Sequence, residues 1–213
     1  MKKTYATEFR LLLLAALAML ANPCAARAEP IHLKVDTERS TVSAAVAEPA
    51  AWIRGNAVGT FRIIDGDVSC DFANVQHTGK VSIVIDATSY RSSSAARDRA
   101  VTASSLESDK FPTIGFGSKN VVGVVVTGSN EGTAIVNGFL TLHGETHPMT
   151  VPVHATLGTD GAFVADGEVK FNYEEFGVKV PGVMFGAILA GDEVTVHFHI
   201  VATRATEPAP GNR

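Results

Sequence analysis

The side chains best suited to chemistry in this chain are its histidines. His197 and His199 lie two apart in the alternating run 193–202, so on a strand they would point the same way. His143 and His147 flank a Gly-containing turn. If the two pairs met they could hold a Zn or Cu ion, since imidazole suits both. The other reading is a polar outer face on amphipathic strands. Arg97 and Asp98 are adjacent and could look like an active-site pair, but they fit better as an ion pair or cap that fixes a short helix. The chain has no Gly-x-Ser-x-Gly elbow, phosphate loop or clustered Cys/His set. It is therefore not read as an enzyme, and no cofactor is expected.

Apolar chemistry is better represented. The chain has 11 Phe against 3 Tyr and 1 Trp, and 46% of its residues are hydrophobic. Strand-like segments at 31–36, 41–47, 56–64, 67–72, 80–88, 113–119, 121–127, 133–142, 149–157, 162–173 and 193–202 must position these residues. Several alternate with period two: Val81, Ile83 and Ile85 share one face, and Val194, Val196, Phe198 and Ile200 another. Ile64-Asp65-Gly66-Asp67 and Thr159-Asp160-Gly161 read as hairpin turns. Many short strands joined by such turns predict an all-β, antiparallel barrel or sandwich. Residues 92–108, rich in Ala, Ser, Arg and Asp, predict a short helix covering one barrel end. Residues 177–191 are unusually apolar for a loop and predict a plug, a lid or the rim of a cavity.

Targeting and charge narrow the class. Lys2, Lys3 and Arg10 precede a short apolar run, and Ala26-Arg27-Ala28 offers a small-x-small cleavage site. Residues 1–28 are thus expected to be a secretory signal peptide, with a run too short to serve as a transmembrane anchor. A single domain is expected over 29–205 and a loose tail over 206–213. The leader holds four basic residues and one acidic residue. Without them the formal charge moves from −4 to −7, which does not suit a nucleic-acid binder. Cys70 is then the one remaining cysteine, so no internal disulfide can form and the thiol is read as a small buried hydrophobe.

The ordered set Arg97-Asp98, Phe111-Pro112-Thr113-Ile114-Gly115-Phe116 and Asn137-Gly138-Phe139-Leu140-Thr141-Leu142-His143-Gly144-Glu145-Thr146-His147-Pro148 resembles the YceI-like family of bacterial secreted lipid-binding proteins. Val35-Asp36, Ser40, Gly59-Thr60-Phe61, Phe176-Gly177-Val178 and Gly191-Asp192-Glu193-Val194 extend the resemblance over most of the chain after the leader. It implies a lipocalin-like antiparallel β-barrel in the periplasm, binding polyisoprenoid or isoprenoid-quinone chains inside, with fatty-acid-like amphiphiles as further candidates. Arg39, Tyr173 and the alanine-rich 41–51 depart from the family pattern and point to altered cavity width or head-group recognition.

The resulting expectation is a barrel that carries an isoprenoid-type lipid or other long-chain amphiphile. Phe61, Ile63, Ile83, Phe116, Leu140, Phe171, Val196 and Phe198 are expected to line it, chosen by alternation and bulk. The alternatives are a metal-binding protein using His143, His147, His197 and His199, and a β-structured interaction module with a filled core. A homodimer is left open.

Overall fold

A computed structural model describes residues 30–46, 57–71, 74–179 and 193–204. Nine antiparallel strands occupy them: β1 (Ile31–Val35), β2 (Thr41–Val46), β3 (Ala57–Cys70), β4 (Lys80–Ser92), β5 (Thr113–Val126), β6 (Glu131–Leu142), β7 (Glu145–Leu157), β8 (Phe163–Asn172) and β9 (Glu193–Arg204). The sheet closes through β3–β4 at one side and β2–β9 at the other. β1 and β2 share a single position. Both pair with β3 and with β9, β1 along one half and β2 along the other. The result is an eight-position barrel with one strand broken in two.

The break explains two of the family residues. The Asp36 carboxylate accepts the amides of Glu38 and Arg39, turning the chain between β1 and β2. Ser40, 6% exposed, donates its hydroxyl to the Val201 carbonyl and accepts the Val201 amide at 2.9 Å. It thus satisfies the Val201 amide that the break would leave unpaired on β9, while the Asp36 amide donates to the Val201 carbonyl at 2.8 Å.

Two of the expected boundaries are corrected. Segments 56–64 and 67–72 form the single strand β3, and 113–119 and 121–127 form the single strand β5. The break at Ile64-Asp65-Gly66-Asp67 is a β-bulge at Ile64-Asp65, not a hairpin. The register with β4 shifts between Ile63 and Asp65, and both Ile64 and Asp65 point outward. A bulge inserts one residue and reverses the alternation, which in sequence looks the same as a turn. Gly66, the next residue, is back in register opposite Ile83 and lies against Val35 and Ile83, where a side chain would collide. Outside, Lys34 bridges Asp65 and Asp67. β5 reverses phase twice, between Ser118 and Asn120 and between Val122 and Val125. The second bulge has Gly123 at φ +61°.

The expected covering helix is α2 (Ala95–Ala100), continued by a π turn at Val101–Ser105. Ser94 caps it by accepting the Arg97 amide, and the Asp98 carboxylate accepts both the amide and the hydroxyl of Ser92 at 2.7 Å. Asp98 therefore pins the cover to the end of β4. A second short helix, α1 (Val75–Thr78), which the sequence did not suggest, packs beside β5 at the other end. The signal-peptide segment, the tail 206–213, residues 47–56 and most of the apolar segment 177–191 lie outside the described residues.

Candidate functional site

The barrel encloses a cavity of about 550 Å³ whose wall is almost wholly apolar. That volume lies within the range of small-molecule sites. Of the eight residues expected to line it, Phe61, Ile83, Phe116, Leu140, Phe171, Val196 and Phe198 are in its wall. Ile63 is not. It is 1% exposed and packed among Leu33, Val35, Val42, Val68 and Ile83, in the β3 segment flanked by the two register shifts. Sequence alternation alone missed Val121, Val136, Met149 and Val151, which contribute to the wall from β5, β6 and β7.

Packing closes one end of the bore. Leu106 from the cover, Ile114, Leu142, Tyr173, Phe176 and Val178 form one buried cluster there. Tyr173, where the family pattern often has Arg, is 7% exposed in this cluster. The β6–β7 turn at this end has two central residues, His143 and Gly144, at φ +53° and +82°. A two-residue hairpin requires such angles, which accounts for the His-Gly pair in the family motif. His143 Nε2 lies 2.7 Å from Glu107 Oε2, and its Nδ1 lies 3.2 Å from the Phe176 carbonyl. The two ring nitrogens thus reach the cover on one side and the chain after β8 on the other. The Lys110 ammonium, and next His143, hold the Glu107 carboxyl below its ordinary range. His143 thereby ties the cover to the chain that follows β8.

That tie closes a seam. β7 and β8 pair only from His154 to Leu157, although β7 stays paired with β6 back to Glu145 and β8 with β9 on to Asn172. Pro148 and Pro152, four apart, face Phe139 and Ile135 of β6. Prolines in a sheet belong on an edge, because they cannot donate to the ladder. Here they make the β8-facing side of β7 an edge inside a closed barrel. Side chains bridge the gap instead: the Phe176 ring, 1% exposed, sits 4.7 Å from the His147 ring on β7 and 5.4 Å from the Phe171 ring on β8.

At the opposite end the cavity reaches the surface between the β5–β6 hairpin, α1 and the ends of β3 and β7. Polar residues such as Lys80, Asn130 and Glu131 edge this mouth. Cys70 lies nearby, buried and unpaired, and burial raises its thiol pKa above the ordinary value.

The four histidines weighed as metal ligands take separate partners. His199 Nδ1 is 2.7 Å from Asp166, His197 Nδ1 is 3.4 Å from Glu168, His143 meets Glu107, and His147 packs on Phe176. Among the described residues no three His, Cys, Asp or Glu side chains come together to hold a metal ion. Also among the described residues, no helix is long and apolar enough to cross a membrane.

A model of the YceI-like domain matches residues 33–202. The chain is 34% identical over 132 residues to a UPF0312 protein of Pseudomonas putida, an alignment that spans 58% of this chain and 65% of the relative. A UPF0312 protein of Shewanella denitrificans is 33% identical over 129 residues, 58% of this chain and 64% of that one. The chain therefore aligns with just under two thirds of the length of these relatives. Among solved structures, BcnA of Burkholderia cenocepacia superposes with a TM-score of 0.65 at 25% identity, covering 79% of this chain and all but 1% of that one. A polyisoprenoid-binding domain from Saccharophagus degradans shares the fold, with a TM-score of 0.60 at 11% identity over 82% of this chain and 99% of that domain.

Proposed function

The chain belongs to the YceI-like family, and from that premise we propose that it is a periplasmic carrier that sequesters a long apolar isoprenoid-type lipid inside its barrel. The observation that carries the proposal is the cavity: a bore walled by Phe61, Phe116, Leu140, Phe171 and Phe198, sealed at one end and open at the other. A filled-core interaction module would have no such space. The leader-like residues 1–28 and the relative named for polyisoprenoid binding support the location and the ligand class.

No bond is made or broken. A chain burying on the order of 400 Å² of apolar surface gains about 10 kcal/mol. Association and ordering cost about 4–15 kcal/mol, so the complex is reversible, as transfer requires. The test is organic extraction and native mass spectrometry of protein purified from the periplasm, with a titration of the emptied protein by all-trans-retinol, a fluorescent isoprenoid alcohol. A co-purified polyprenyl or quinone lipid and saturable retinol uptake are expected. Protein that carries no lipid and takes up no retinol would refute the reading.

A further inference from the structure

The outer strands of the open mouth carry an apolar surface that the barrel itself does not use. Beyond Ser118, β5 has no β4 partner, so its β4-facing edge is left uncovered while β6 stays paired with β7 to the tip of the hairpin. It bears the run Val121-Val122-Gly123-Val124-Val125-Val126. The bulge at Gly123 resets the alternation, so that Val124 lines the cavity while Val125 stands outside, 55% exposed. Val126 is 76% exposed yet belongs to the cavity wall. Val122 and Ile135, paired across the hairpin, are each 38% exposed on its outer face. Exposed aliphatic side chains therefore stand both on the outer face of the hairpin, at Val122, Val125 and Ile135, and at the cavity mouth, at Val126.

We infer that this hairpin docks transiently on a lipid bilayer and that the cavity loads and unloads there. Size and composition choose the occupant. Four partly exposed aliphatic side chains present on the order of 300 Å², the size of an isolated patch, against about 800 Å² per partner in a stable protein interface. A second copy of the chain is thus too demanding an occupant. Protein hot spots are built on Trp, Tyr and Arg, with Val under-represented, whereas this patch is all Val and Ile. A fluid apolar phase needs no matching shape. It is also where a water-insoluble chain resides, and Val126 stands at the mouth through which that chain would pass.

The inference rests on the carrier reading, and the experiment separates the two. Vesicles of phosphatidylethanolamine and phosphatidylglycerol are loaded with all-trans-retinol and a quencher that stays in the bilayer, then mixed with the emptied protein. The recovery of fluorescence reports transfer. The wild-type rate should rise in proportion to vesicle concentration, as collision requires. Val122→Asp and Val125→Asp, both on the outer face of the hairpin and outside the cavity wall, should each slow transfer about tenfold. Both variants should take up retinol added directly to water as the wild type does. A wild-type rate indifferent to vesicle concentration, or unchanged rates in the variants, would overturn the inference. So would light scattering that shows a wild-type dimer dissociated by either substitution. Failure of all three proteins to take up retinol from water would instead remove the carrier reading, and the docking inference with it.

Discussion

Phe176 and Phe116 make a matched pair for testing what is packed in this barrel and what is empty. Both are phenylalanines, and Ala at either position removes the same ring. Phe176 is 1% exposed and touches His147 and Phe171 across the seam where β7 and β8 are not hydrogen-bonded. Removing a fully packed Phe costs about 3–5 kcal/mol, a large share of a native stability of about 5–15 kcal/mol. At this domain size each kcal/mol moves Tm by about 2–4 °C, so Phe176→Ala should lower Tm by about 6–20 °C. Phe116 stands in the cavity wall, with one side of its ring facing space. It has fewer contacts to lose, and Phe116→Ala should cost roughly half as much, about 1.5–2.5 kcal/mol. Urea unfolding followed by circular dichroism gives both values, provided the slopes match that of the wild type. Equal losses at the two sites would mean that the bore is filled. A loss below about 1 kcal/mol at Phe176 would mean that the seam is held by something other than its ring.

Three further outcomes follow from the same geometry. Replacing Pro148 and Pro152 together by Val restores two amide donors on the β8-facing edge of β7; hydrogen exchange should show added protection in Gly167–Asn172 of β8, and unchanged protection would contradict the edge assignment. Leu140→Trp, directly opposite Phe116 in the wall, should fill the bore and weaken retinol binding by about tenfold or more, leaving the unfolding free energy from urea titration within about 3 kcal/mol of wild type; undiminished binding would place the ligand elsewhere. The Asp86 carboxyl is held below its ordinary range first by the Thr88 hydroxyl, with Arg62 at 2.7 Å also lowering it, against a partial opposing effect of burial. A carboxyl depressed in the folded state contributes its stability above the unfolded value, near pH 4, and loses it as pH falls through the folded value. The urea midpoint of wild type should therefore drop below about pH 4 more steeply than that of Asp86→Asn, the two converging in acid; parallel curves would exclude this contribution.

Much of the architecture was legible in the residues themselves. Period-two alternation in Lys80–Ser92 and Glu193–Arg204 identified strands and their inner faces because each is half buried, and the pleat repeats every second residue. The family motifs were legible too, and their residues prove to be joints. Asp98 pins the cover, Ser40 repairs the break between β1 and β2, and His143-Gly144 makes the tight hairpin. Their chemistry is local, so a short stretch of sequence is enough to encode it.

What the sequence by itself determined is therefore the class of the molecule: an antiparallel β-barrel, which residues alternate inward, and an apolar interior suited to a lipid. What the tertiary structure decided is continuity. Ile64-Asp65-Gly66-Asp67 reads as a turn because a turn and a bulge break the alternation alike, and only the pairing of β4 along both sides of the break shows it to be a bulge. Ile63 alternates correctly and yet is packed away from the bore, because facing inward does not specify whether the space ahead is filled. Two prolines in β7 carry no sign of the strand they fail to join, and the exposed valines of the β5–β6 hairpin look like core until the missing β4 partner leaves them uncovered. Each of these features depends on which distant segment comes to lie alongside, and that is settled by closure of the barrel, not by the local alternation of its strands.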